Sequence, residues 1–255
     1  VFLVLLGLAF GLMNERFLTV QNLTIVASSA AILAIAACAQ AVVLITRNLD
    51  VSVGSMMGLA AYLTADYAAH RPAITPFELV LIPLGIGAAL GLVNGLLVAY
   101  GKVPALVGTL GTMSLYRGFT YIYAHGQEVT SSRLPPWMLT SADARIAGVP
   151  ALVIVAIIVV AAVAWFLHAF PLGRKLYAVG SNPLAAWFFG LRAERVTLFA
   201  YVFCGVLSGL AGLLYAARVG TVTVVLASGW EMSSLAAAVI GGVSVSGGSG
   251  TVVGA

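Results

Sequence analysis

Long apolar blocks, each closed by a short cluster of polar or charged residues, recur along the whole chain, at about 22–46, 51–68, 78–100, 103–124, 148–170 and 196–217. A bilayer core of roughly 30 Å takes about 20 apolar residues per helical crossing, so each block predicts a membrane helix. Two more blocks sit at the ends. Val1 to Met13 is too short to span, yet it lacks an initial Met and is apolar from its first residue. The last block, from about Met232, breaks off at Ala255 inside a Gly-rich apolar stretch. The pattern predicts an all-α, polytopic transmembrane helical bundle with at least eight membrane segments, truncated at both termini and forming a single domain over 1–255. A signal peptide is disfavoured, because no charged n-region and no A-x-A site precedes Asn14, Glu15 and Arg16.

Composition agrees with the pattern. Hydrophobic residues make up 62% of the chain and charged ones 8%, and mean hydropathy is +1.09, where a soluble protein would alternate core and charged faces. The net charge of +4 is too small to point to nucleic acid. Cys38 and Cys204 lie in apolar helices without C-x-x-C spacing, as small buried hydrophobes do. His70, His125 and His168 are scattered at helix or loop ends and form no ligand cluster.

Basic residues fall mostly in the connections. Arg47, Lys102, Arg174, Lys175, Arg192 and Arg195 belong to one side, and Arg16, Arg71, Arg133, Arg145 and Arg218 to the other. Four of the first set crowd into 171–195, and dense positive loops stay cytoplasmic. That loop is therefore placed in the cytoplasm, and 14–21, 69–77, 125–147 and 218–231 on the outer face. The 125–147 connection, with Pro135, Pro136 and Trp137, is longer than an ordinary turn. It reads as a lid or docking element, or as a plain link between distant helices.

Small residues mark close helix contacts. Gly87, Gly91 and Gly95 repeat every four residues, and Gly205 and Gly209, with Ser208 and Gly212 beside them, do the same. Such stripes let membrane helices approach closely. The polar stretch Thr46-Arg47-Asn48-Leu49-Asp50-Val51-Ser52-Val53-Gly54-Ser55 must face protein or water. It reads either as a pathway or hinge, with Arg47 and Asp50 paired if helical, or as a tight turn with a capping Asp.

In 171–195, Asn182 followed by Pro183 is a strong helix start. Leu184, Trp187, Phe188 and Leu191 then share one apolar face, suited to a lipid interface or a partner's groove. The run Gly241-Gly242-Val243-Ser244-Val245-Ser246-Gly247-Gly248-Ser249-Gly250 holds no regular helix and lacks the Lys-Ser or Lys-Thr of a P-loop. It reads as a linker or a reversal between half-helices. Glu231 suits a helix N-terminus, and Arg117, near Tyr116, Tyr121 and Tyr123, reads as a snorkelling side chain.

Taken together, Thr46 to Ser55, the run Pro104-Ala105-Leu106-Val107-Gly108-Thr109-Leu110-Gly111 leading to Tyr116-Arg117-Gly118, Gly180-Ser181-Asn182-Pro183 with Ala185, Ala186 and Gly190, and Glu231 to Gly250 resemble the membrane permeases of bacterial ribose-type ABC sugar importers. The form of the first motif is similar to the autoinducer-2 and rhamnose branches. The resemblance implies an ABC-importer helical bundle in the bacterial inner membrane. It also implies that Asn182, Pro183, Leu184, Ala185, Ala186, Trp187, Phe188 and Gly190 form the helix that docks on a cytoplasmic ATPase. Leu184, Trp187 and Phe189 depart from the family's usual Glu, Arg or Tyr, and Ser, which makes this docking face unusually apolar.

The implied partners are that ATPase, a periplasmic substrate-binding protein, a second permease subunit, identical or related, and membrane lipid. The chain itself needs no catalytic residue, cofactor or metal, since ATP and Mg belong to the ATPase. Candidate pathway or hinge residues are Asn48, Asp50, Ser52, Gly54, Asn94, Arg117, Glu231, Gly247 and Gly248. Spans rich in small residues and hydroxyls, with almost no fixed charge, suit a small neutral polyol-like solute such as a sugar or autoinducer-2. An ion-coupled transporter would need a buried acid and a His relay. An intramembrane serine protease, suggested by Gly247-Gly248-Ser249-Gly250, would need a nearby His as base.

Overall fold

The computed structural model describes residues 2–14, 16–71 and 73–254, so Val1, Glu15, Pro72 and Ala255 lie outside the described residues. The chain is helical almost throughout. Its helices are α1 (Phe2–Met13), α2 (Val20–Ile45), α3 (Val53–His70), α4 (Pro76–Gly95, continued by a π-turn over Leu96–Tyr100), α5 (Ala105–Ala124), α6 (Pro136–Asp143), α7 (Ala151–Ala169), α8 (Pro171–Ser181), α9 (Pro183–Phe188), α10 (Ala193–Val219) and α11 (Trp230–Ile240). A two-residue hairpin, β1 (Arg145–Ile146) with β2 (Val149–Pro150), precedes α7. Among the described residues, four helices are long and apolar enough to cross a membrane: α2, α4 with its π-turn, α7 and α10.

Local chemistry sets the helix ends. Thr75 and Glu78 form a reciprocal capping box ahead of α4, with Pro76 in its first turn. Asn182 Oδ1 accepts from Ala185 N at 3.0 Å and starts α9. Left-handed His125 and Gly220 close α5 and α10.

The core is helix on helix, with α2 and α10 mostly enclosed and α7 turning most of its surface outward. The most extensive contact joins α4 and α10, and the two glycine stripes meet there. A Cβ at Gly205 would collide with Gly87 O, one at Gly91 with Tyr201 O, and one at Gly209 with Pro83 O. Without a hydrophobic drive between helices in lipid, this backbone-to-backbone approach maximises dispersion and weak hydrogen bonding.

The region read as a cytoplasmic loop, 171–195, is two helices joined at Asn182, because Pro171 starts α8 as Pro183 starts α9. The helix after Asn182 stops at Phe188, and Gly190, at φ 76, turns the chain before Leu191. The 125–147 connection holds a 3-10 turn at Ser131–Arg133 and helix α6. A bridge from Val129 to Val222 ties it to the segment after α10.

Candidate functional site

The sequence-predicted site residues separate into four places. The first is a buried polar hub where the 46–52 turn meets α4, α5 and α10. Asp50 is fully buried. Its Oδ1 accepts from Ser52 N at 2.8 Å and Ser52 Oγ at 2.6 Å, and its Oδ2 accepts from Asn94 Nδ2 at 3.1 Å. Asn94 also donates to Ser52 Oγ at 2.7 Å and accepts from the Tyr116 hydroxyl at 3.1 Å.

Nearby, Tyr201 donates to Leu49 O at 3.0 Å, and Thr109 Oγ1 accepts from Val51 N at 3.3 Å. The expected Arg47–Asp50 pair does not form. The 46–52 segment is a turn rather than a helix, Arg47 sits at φ 67, and the carboxylate turns inward to Ser52 and Asn94. The turn reading with a capping Asp fits this geometry. Asp50 is a buried acid, contributed by the turn between α2 and α3 and not by a helix. Asn48 stays apart, its amide bonded to Thr46 O at 2.9 Å.

The second place brings together Gly54, Arg117 and Glu231. Arg117 does not snorkel. Its guanidinium turns inward to donate to Leu226 O at 2.8 Å, and it stands 3.9 Å from Glu231 Oε2. Glu231 lies in the first turn of α11. Gly54 and Gly58 make the room: a Cβ at Gly54 would strike Glu231 Oε2, and one at Gly58 would sit 2.7 Å from Leu226 O.

The third place is the Gly-rich turn. Gly242, Gly247, Gly248 and Gly250 all have positive φ, which only glycine adopts without strain. Gly248 N donates to Ile45 O at 2.9 Å, satisfying a carbonyl at the end of α2. Gly247 packs on Arg47, Gly248 on Ser181, and a Cβ at Gly180 would collide with Ile45 O. Tyr177 donates to Gly250 O at 2.9 Å, and burial pushes its phenol pKa up, so it remains a neutral donor.

The fourth place is α9. Leu184, Trp187, Phe188 and Phe189 are 73, 66, 77 and 85% exposed, while Ala186 is buried against the body. Trp187 and Phe188 meet edge to face at 5.2 Å. Arg174, Lys175, Arg192 and Arg195 lie in the flanking segments.

Sequence reasoning missed several participants. Gly58 was legible, four residues after Gly54 on one face of α3. Gly180 was quoted only as part of a motif. Thr109 likewise stood only within the Pro104–Gly111 motif, and Tyr201 and Tyr177 carried no local signal, since their partners are distant in sequence. Ser249 makes no side-chain hydrogen bond to a histidine among the described residues, so the protease constellation has no general base at hydrogen-bond distance. No group of three or more His, Cys, Asp or Glu able to hold a metal is present among the described residues.

The fold is a helical bundle with apolar helices of membrane-spanning length, bare glycine contacts between helices, a hydrogen-bonded polar hub and an exposed apolar elbow. The chain belongs to the family described as the permease component of the branched-chain amino acid transport system, which matches residues 22–255. It is similar to the autoinducer 2 import system permease protein LsrC of Escherichia coli O9:H4 (strain HS), 38% identical over 257 residues covering 99% of this chain and 72% of that protein. The LsrC proteins of Shigella flexneri and Salmonella typhi are each 37% identical, again over 99% of this chain and 72% of theirs. No solved structure matches the chain.

Proposed function

We propose that this chain is the permease subunit of an ATP-driven importer in the bacterial inner membrane, carrying a small neutral polyhydroxylated solute of the autoinducer-2 or sugar kind. A periplasmic binding protein delivers the solute, a second permease subunit completes the pathway, and a cytoplasmic ATPase binds ATP and Mg and drives the cycle. This chain, a single permease domain, supplies no bond chemistry and holds no cofactor.

The observation that carries the reading is α9. An amphipathic surface helix would lay its apolar side on lipid, but this short, Asn-capped elbow presents Leu184, Trp187 and Phe188, with Phe189 just past its end, while Ala186 packs inward. That shape fits a groove in a partner. The 38% identity to an autoinducer-2 import permease supports the solute class. The polar hub supports neutrality of the cargo, because each oxygen of its one carboxylate is already bonded inside the protein.

The test is reconstitution in liposomes with the ATPase and binding protein, screened against ribose, rhamnose and autoinducer-2. Uptake should require ATP and the binding protein together. Uptake driven by a proton gradient, with ATP irrelevant, would replace this reading with an ion-coupled transporter centred on Asp50.

A further inference from the structure

Residues 221–240 return the chain across the bundle, from the bridge between Val222 and Val129 toward the turn where Gly248 meets Ile45. Only the second half of this return is helical. The 11 residues of α11 rise about 16 Å, half of a hydrocarbon core of roughly 30 Å. The first half runs through turns, with Ala227 at φ 57 and Gly229 at φ 85. Irregular backbone at membrane depth survives only where protein covers it.

Arg117, twelve residues after Ala105 and so about 18 Å along α5, donates to Leu226 O within this irregular half. Glu231 sits at the start of α11, where an acid offsets the positive end of a helix. The two charged side chains are 22% and 15% exposed. Arg117 Nη2 and Glu231 Oε2 are buried with no hydrogen-bond partner, so each charge relies on the other across 3.9 Å.

At its far end α11 runs into the Gly-rich turn, whose Gly248 lies against Ile45 and Ser181 with no side chain between to yield. Ser181 immediately precedes the Asn182 cap of α9. The helix packs along α2 and α3, its first turn faces Arg117 of α5, and the Gly-rich turn that follows it seats on Ser181 at the α8–α9 elbow.

We propose that α11 is a lever carrying movement of α9 to α5, with the Arg117–Glu231 pair as its joint inside the membrane and the Gly247–Gly248 seat as its joint at the elbow. This rests on the importer reading and names the part that transmits the stroke. Arg117 and Glu231 are positioning residues, and Gly54 and Gly58 form the notch that lets them meet.

The test uses Arg117→Gln, Glu231→Gln and the double variant, each with two readouts. In the full-length permease alone, in nanodiscs, hydrogen exchange of residues 226–236 should speed by about ten-fold or more in either single variant while α10 is unchanged. Unchanged exchange there overturns the proposal, and so does equal loosening of α10, which would make the pair a general folding contact. In the reconstituted complex, uptake should fall about ten-fold in each single variant with ATP hydrolysis retained, and the double variant should be no worse than either single. Losses that multiply would show two independent roles and defeat the joint. Absence of ATP-driven uptake in the unmodified complex would instead refute the importer reading, leaving the exchange measurement to judge the joint alone.

Discussion

Replacing Asn94 by Leu isolates what the polar hub contributes. The side chain is 1% exposed, and Leu matches its branching and heavy-atom count, so no cavity opens and the extra bulk of its methyls adds to the lost bonds rather than offsetting them. Three hydrogen bonds to or from oxygen go, the one to Asp50 Oδ2 at 3.1 Å, the one to Ser52 Oγ at 2.7 Å and the one from Tyr116 at 3.1 Å, together with a long, weak contact to Met56 Sδ at 3.9 Å. The bond to the buried Asp50 carboxyl is worth about 1.5 kcal/mol, and each neutral bond between membrane helices about 0.6 kcal/mol. Asp50 keeps both bonds from Ser52, and Tyr116 keeps Leu90 O at 2.9 Å, so the loss should stay near 3 kcal/mol, or about a hundred-fold in a local opening equilibrium.

Cys204 reports that opening. Its Sγ is buried 4.0 Å from Asp50 Oδ2. With Cys38 changed to Ser it is the only thiol in the chain. Maleimide labelling of Cys204 should accelerate about a hundred-fold in Asn94→Leu, following the population of the open form. Tyr116→Phe, which removes only hydroxyl bonds, should accelerate it by less than about ten-fold. A change of under about three-fold in Asn94→Leu would refute the reasoning, because the hub would then be polar without holding the helices together.

Trp187→Asp should abolish association with the ATPase on pull-down while the permease still inserts, since the side chain is two-thirds exposed and supports nothing beneath it; retained association and transport would reject α9 as the docking element. Single cysteines at Ser131 and Ser181, both exposed, should label from opposite sides of the membrane in a cysteine-free background, and labelling from one side would overturn the assigned orientation. Gly205→Ala should lower resistance to denaturation by about 2 kcal/mol or more, because its Cβ meets the backbone of Gly87 and both helices must part. Gly111→Ala, where the space is open, should be neutral or slightly stabilising, by up to about 1 kcal/mol; equal effects at the two positions would show that the glycine contact is not what holds α4 to α10.

Much of the site was legible as separate pieces. The 46–55 stretch announces itself because its seven polar or small residues, set between apolar blocks, must have a covered environment. Asn182 and Pro183 announce a helix start because capping is chemistry between residues three apart. The glycine stripes announce contact faces because their spacing matches the helical repeat. Where the reading went wrong, it had supplied a local partner to a group whose real partner is distant. The helical reading of 46–55 paired Arg47 with Asp50 three residues away, whereas the segment takes the alternative turn and Asp50 binds Asn94 on α4. Arg117 was sent to the interface, whereas it meets Leu226 and Glu231 from a different element.

The sequence by itself determined the class: apolar blocks of spanning length, the turns that separate them, the stripes along which helices touch, and the apolar elbow after Asn182. These follow from period, length and short-range capping, which act within a few residues and need no fold to be read. The tertiary structure alone decided which glycine stripe faces which, that Asp50 and Asn94 share a hub, that Arg117 and Glu231 meet in the notch of Gly54 and Gly58, and that the Gly-rich turn seats on Ile45 and Ser181. The reason is physical. Inside a bilayer a polar group must find its partner within the protein, and helix packing places that partner tens or hundreds of residues away along the chain.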